Sequence, residues 1–128
     1  MTNADVLRAI YERFSVHDIE GALEFIDPEI EWEWSRAMPD SGVYRGHQGF
    51  REGAEIFRES WGEFQMEMEE LIERGDNLFA AVRYRATGRE SGVRMDALVP
   101  HVWEFRGGKA VRFRIFLDVD KSRRRFLE

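Results

Sequence analysis

Apolar and polar residues alternate along this chain with two periods, and the change from one to the other marks out its elements. Val6, Leu7, Ile10, Tyr11 and Phe14 recur at helical spacing and form one apolar stripe, with Thr2 or Asn3 placed to cap it. The run SVHD interrupts the pattern. Asp18 can cap a short second helix that carries Ile19, Ala22, Leu23 and Ile26 on one side, and Asp27-Pro28 ends it. The period then drops to two. From Glu29 to Trp34, Ile30, Trp32 and Trp34 face one way and three glutamates the other, which predicts a half-buried strand. SRAMPDSGVYRG reads as a loop. A third helix is expected from about His47 to Ser60, with Phe50, Ala54 and Phe57 on its inner side.

The second half has the strand period throughout. FQMEMEELIE comes first, and Gly75-Asp76-Asn77 turns the chain into LFAAVRYRATG. VRMDALVPHVWEF and KAVRFRIFLD then pair around Gly107-Gly108 as a hairpin, and DKSRRRFLE is read as a short, basic, solvated tail. Helices first and strands later predict a single α+β domain, a curved antiparallel or mixed sheet wrapped around three N-terminal helices with a pocket between them.

Composition narrows the function classes. In a chain of 128 residues, 43% hydrophobic and 13% aromatic, there is enough apolar surface for one core. A net charge of −6 with mixed signs gives no electrostatic reason to bind nucleic acid. Cysteine is absent, so thiol chemistry and disulfides are excluded. The first residues lack a signal-peptide apolar core, and no apolar run is long enough to span a bilayer; a cytoplasmic protein without membrane partners is expected. The three histidines are far apart and show no metal-ligand spacing, and no phosphate-binding glycine pattern occurs, so neither a metal nor another cofactor is expected.

The segments AIYERFSVHDIEGALEFIDPEIEWEW, GVYRGHQGFREG and HVWEFRGGKAVRFRIFLD resemble the SnoaL-like proteins of the nuclear-transport-factor-2-like superfamily, which also contains ketosteroid isomerase and polyketide cyclases. The resemblance implies a cone-shaped α+β barrel, a homodimer and an internal cavity. It also implies which residues point inward: Ala80, Val82 and Tyr84; His101, Trp103 and Phe105; Phe113, Ile115 and Leu117. The isomerase's catalytic positions do not carry over. Its carboxylate base falls at Trp34, its first-helix tyrosine at Ile10 beside Tyr11, and its protonated aspartate at His101. The epoxide hydrolases' carboxylate falls near Ile115.

His101 is the main chemical candidate, because an imidazole titrates near neutrality and an apolar wall favours its neutral form. Two readings stay open for it: a proton carrier beside a ligand, or a core histidine bonded to Tyr84, an indole N–H or the backbone. Tyr84 is its expected catalytic partner. Trp32, Trp34, Phe57, Trp61, Val82, Trp103, Phe113 and Ile115 are the expected ligand-binding wall, suited to a small apolar or polycyclic molecule. Tyr11 could donate to a ligand oxygen, Asp96 could orient His101 or face solvent, and Arg36 and Met38 could close the pocket mouth. The expected function is small-ligand binding, with cofactor-free isomerase, cyclase or dehydratase chemistry through His101. The alternative is a non-catalytic ligand-binding or dimerisation module.

Overall fold

The computed structural model describes residues 1–34 and 42–128, with Trp34 described in its backbone only. Helix α1 (Asn3–Ser15) begins with a reciprocal cap: the Asp5 N–H donates to the Thr2 hydroxyl and the Thr2 N–H donates to the Asp5 carboxylate, each at 3.1 Å. Helix α2 (Ile19–Leu23) is capped by Asp18, which accepts from Gly21 N–H at 2.9 Å. Strand β1 (Ile26–Trp34) starts earlier than expected, because the parallel pairing of Ile26 with Ala110 recruits it before Asp27-Pro28. The loop expected before the third helix holds a short strand, β2 (Val43–Arg45), paired antiparallel to β1. Helix α3 (Gly46–Ser60) follows, then β3 (Trp61–Arg74), β4 (Asn77–Gly88), β5 (Arg94–Arg106) and β6 (Lys109–Ile115).

The six strands lie in the order β2-β1-β6-β5-β4-β3. Among the described residues only the β1–β6 pair is parallel, which joins the N-terminal strand to the C-terminal hairpin. Register irregularities between Met68 and Glu70 and between Glu104 and Phe105 lie in a curved, unclosed sheet. The helices α1 and α3 pack against its concave face, and the core there includes Leu7, Ile10, Ile30, Phe50, Ala80 and Trp103.

The tail is helical rather than a loose end, and most of its charged side chains, Arg124 and Arg125 among them, are exposed as expected. It forms helix α4 (Val119–Leu127) on the convex face, with Asp118 as its N-cap. Val119 and Phe126 pack on Phe79, Ala81 and Val102, while Arg123 makes a two-pronged pair with Glu70 at 2.6 and 2.7 Å. Arg74 donates to the Phe126 and Glu128 carbonyls at 2.7 and 2.6 Å. Leu117, expected inside, is 52% exposed, because β6 ends at Ile115 and the chain turns outward toward the α4 cap.

Candidate functional site

Strand register aligns the aromatic residues across the concave face. Trp32 pairs with Phe113 across β1–β6, and Phe113 pairs with Trp103 across β6–β5. Side chains opposite one another on adjacent strands stand on the same face, so the three rings form a column. Phe113 stacks on Trp103 with centroids 3.8 Å apart and on Trp32 at 6.0 Å, with ring planes nearly parallel in both pairs. One step along, Ile115, His101 and Ala80 form the neighbouring row. The small Ala80 leaves room for the imidazole between the larger side chains.

His101 is fully buried, and both of its ring nitrogens are engaged. The Tyr11 hydroxyl lies 2.7 Å from Nδ1, and the Tyr84 hydroxyl is hydrogen-bonded to Nε2. Trp103 Nε1–H donates to Tyr11 Oη at 2.9 Å. Burial pushes the imidazole down to a pKa of about 3, so its ring is neutral and carries one proton. Burial also raises both phenols, Tyr11 against a smaller opposing effect of the Trp103 N–H, so both keep their protons.

Counting protons then gives the chemistry. The two phenols and the ring hold three protons, but only two contacts link them. One hydroxyl proton is therefore always left outside the chain. If the ring proton is on Nε2, it points to Tyr84, and the Tyr84 O–H is spare. If it is on Nδ1, it points to Tyr11, and the Tyr11 O–H is spare.

Both hydroxyl-bearing side chains border an apolar cavity of about 50 Å³, lined also by Ile10, Phe50, Phe57, Met66 and the aromatic column. Among the described residues its lining holds no charged side chain. An outer cavity of about 180 Å³, which includes Glu20, Arg51, Arg58 and Trp61, shares Phe14, Ala54, Phe57 and Phe64 with the inner one. Arg51 and Glu20 are paired at its rim at 2.7 and 3.0 Å.

Of the expected wall, Trp32, Phe57, Trp103, Phe113 and Ile115 line the inner cavity and Trp61 the outer one. Val82 is buried in the core and is not among the lining residues. The Trp34 side chain, Arg36 and Met38 lie outside the described residues. Asp96 faces outward, near Arg83 and Arg85 at 3.4 and 3.8 Å, so it does not orient His101. His47 Nε2–H donates to the Ile26 carbonyl at 2.8 Å. Among the described residues no metal-ligating cluster gathers, and no helix is long and apolar enough to cross a membrane.

Tyr11 joins Tyr84 as the second hydroxyl on His101. Its signal was present: it lies on the apolar stripe of α1, beside the position where the related isomerases carry a tyrosine.

A curved sheet around two helices, with an aromatic cavity inside, defines a nuclear-transport-factor-2-like α+β cone protein. The chain belongs to the SnoaL-like domain family, whose profile matches residues 7–113. An NTF2-like protein of unknown function from Burkholderia pseudomallei is 26% identical, with 97% of each chain covered and a TM-score of 0.84. TerC, crystallised with polyporic acid, is 26% identical over 98% of each chain, with a TM-score of 0.83. A SnoaL-like protein from Jannaschia sp. CCS1 shares the fold at 13% identity, covering 94% of this chain and 88% of its own, with a TM-score of 0.80. No curated protein matches the chain.

Proposed function

We propose that the chain binds a small, flat, uncharged molecule in the aromatic cavity, with a carbonyl oxygen at the Tyr11–Tyr84 end, and moves a proton on it without a cofactor. The observation that carries this reading is the spare hydroxyl proton. A buried donor without a partner costs about 1–3 kcal/mol, so an acceptor entering the cavity is favoured. The uncharged lining disfavours a carboxylate or ammonium there.

The inner cavity alone is too small for an aromatic ring. A ring needs the two cavities joined, which rotation of Phe57 or Phe64 in their shared wall achieves.

The Tyr–His–Tyr chain can act as a bifunctional relay. With the ring proton on Nδ1, the spare Tyr11 O–H donates to the ligand carbonyl. Tyr84 Oη takes a proton from the carbon beside that carbonyl, as the Tyr84 proton passes to Nε2. The Nδ1 proton passes to Tyr11, and the Tyr11 proton passes to the carbonyl oxygen. The C–H bond breaks, an O–H bond forms, the ketone becomes its enol and no net charge develops. The ring ends as the other tautomer. The Trp103 N–H draws on the Tyr11 oxygen and makes it the better acid, which sets this direction. Isomerisation, cyclisation and dehydration all use such enol chemistry.

A second reading is a non-catalytic ligand-binding or dimerisation module, favoured by an imidazole whose nitrogens are both satisfied inside the core. Proton NMR of indanone in heavy water separates the two. The relay predicts faster deuterium exchange beside the carbonyl with the protein present, lost in Tyr84→Phe. Binding without faster exchange supports the module and overturns the relay. We also propose a cytoplasmic homodimer whose interface uses the part of the convex face that α4 leaves open, with the ion pairs of Arg83 and Arg85.

A further inference from the structure

The convex face holds a second recess that the cavity chemistry does not involve. It lies between α4 and strands β5 and β6 and measures about 460 Å³. Val102, Phe116 and Phe126 give it apolar walls, and Ser122 is buried beside them. Three cations border it: Arg114 from β6, and Lys121 and Arg125, which are four residues apart on one side of α4.

Several other cations on this face are paired. Arg83 reaches Glu69 and Asp96, Arg85 reaches Glu67, and Arg123 reaches Glu70 and Asp120. Among the described residues, Arg114, Lys121 and Arg125 have no carboxylate within 4.0 Å, and Nε of Arg114 is buried without a hydrogen-bond partner. Asp118, which also lines the recess, uses Oδ1 to accept from the Lys121 N–H of the helix cap. Glu33 and Glu104 act on Arg114 only from beyond pairing distance, while burial and then Arg112 oppose its charge. A chain with a net charge of −6 thus keeps three cations without a carboxylate partner around one recess that is half polar and half apolar.

We propose that this recess binds an amphipathic monoanion, an alkyl or aryl carboxylate, with its head between Arg114, Lys121 and Arg125 and its body on Val102, Phe116 and Phe126. The planar guanidinium of Arg114, which lies over the Phe116 ring, can grip a carboxylate with two parallel hydrogen bonds. A bare inorganic anion would leave the apolar walls uncovered, and a neutral lipid would leave the cations unmatched. The uncharged inner cavity does not suit such a ligand, so the two sites differ in chemistry.

Amide shift mapping on the folded chain tests this with decanoate below its micelle concentration, and with decanol and acetate as partial mimics. Saturable shifts with decanoate are expected in residues 114–126. Decanol and acetate are expected to bind at least tenfold more weakly. Arg114→Gln is expected to weaken decanoate about tenfold. Arg124→Gln, on α4 but outside the recess, is expected to leave binding unchanged. If Arg114→Gln does not fold, Lys121→Gln with Arg125→Gln is expected to give a loss of similar size. Shifts confined to the inner cavity, equal binding of decanol or acetate, or unchanged affinity in the charge variants overturn the proposal.

Discussion

The Tyr11 hydroxyl lies 2.7 Å from Nδ1 of His101, a residue 90 positions later in the chain, and ties helix α1 to the middle of the sheet. This bond changes what His101→Phe should do. A His101 that faced only a ligand would tolerate that replacement with folding nearly intact and a polar ligand weakened, whereas a core histidine would lose stability. With both ring nitrogens bonded to buried hydroxyls, it is now expected to destabilise the fold by about 2–3 kcal/mol. Urea unfolding measures it, and a variant as stable as the wild type would show that the network contributes little.

The two tyrosines are not equivalent. Tyr11→Phe strands both the Trp103 N–H and Nδ1, whereas Tyr84→Phe strands only Nε2. Tyr11→Phe is therefore expected to cost more, by about 1 kcal/mol or more. Denaturation midpoints for the two variants give the order, and a larger loss for Tyr84→Phe would contradict the bond pattern.

Acid should act through the imidazole. Its folded pKa of about 3 lies below its ordinary 6.5, because burial disfavours the charged ring. The unfolded chain therefore takes up this proton first. The stability from the neutral ring is complete above about pH 6.5 and declines as pH falls toward 3, by about 2 kcal/mol at pH 5. In His101→Phe the slope between about pH 6.5 and 4 should flatten relative to wild type, and parallel slopes would exclude His101 as its source.

Gly53 tests the packing of the cavity wall. A Cβ there would lie 1.9 Å from Cζ2 of Trp32 and 2.3 Å from Cη2. Glycine to alanine inside a helix ordinarily stabilises it by up to about 1 kcal/mol. Here Gly53→Ala is expected to destabilise by about 1–3 kcal/mol, as overpacking does. A thermal melt reads the sign directly, and a raised midpoint would mean that the Trp32 ring moves aside freely.

The inward row of each strand was legible because period-two alternation places Tyr84, His101, Trp103 and Phe113 on one face regardless of distant contacts. Which of them touch is set by register, and register depends on pairings such as parallel β1–β6 that no local pattern encodes. Helix α4 was missed because its charges look solvated when read as a run. Two signals pointed to it: apolar Phe79, Ala81 and Val102 on the outward face, which need a cover, and Val119 and Phe126, spaced to share one side of a helix. Tyr11 was legible only as a hydroxyl able to reach a ligand oxygen, not as a partner of His101. Its role appears only when sheet curvature brings His101 beneath it.

The central claim is that a ligand carbonyl accepts the spare tyrosine proton inside an uncharged cavity. Calorimetric titration of indanone and of indane, the same skeleton without the oxygen, tests it most directly in wild type, Tyr11→Phe and Tyr84→Phe. The account predicts that indanone loses about tenfold in affinity in at least one tyrosine variant while indane is unaffected. Equal losses for both compounds, or none for indanone in either variant, would contradict it.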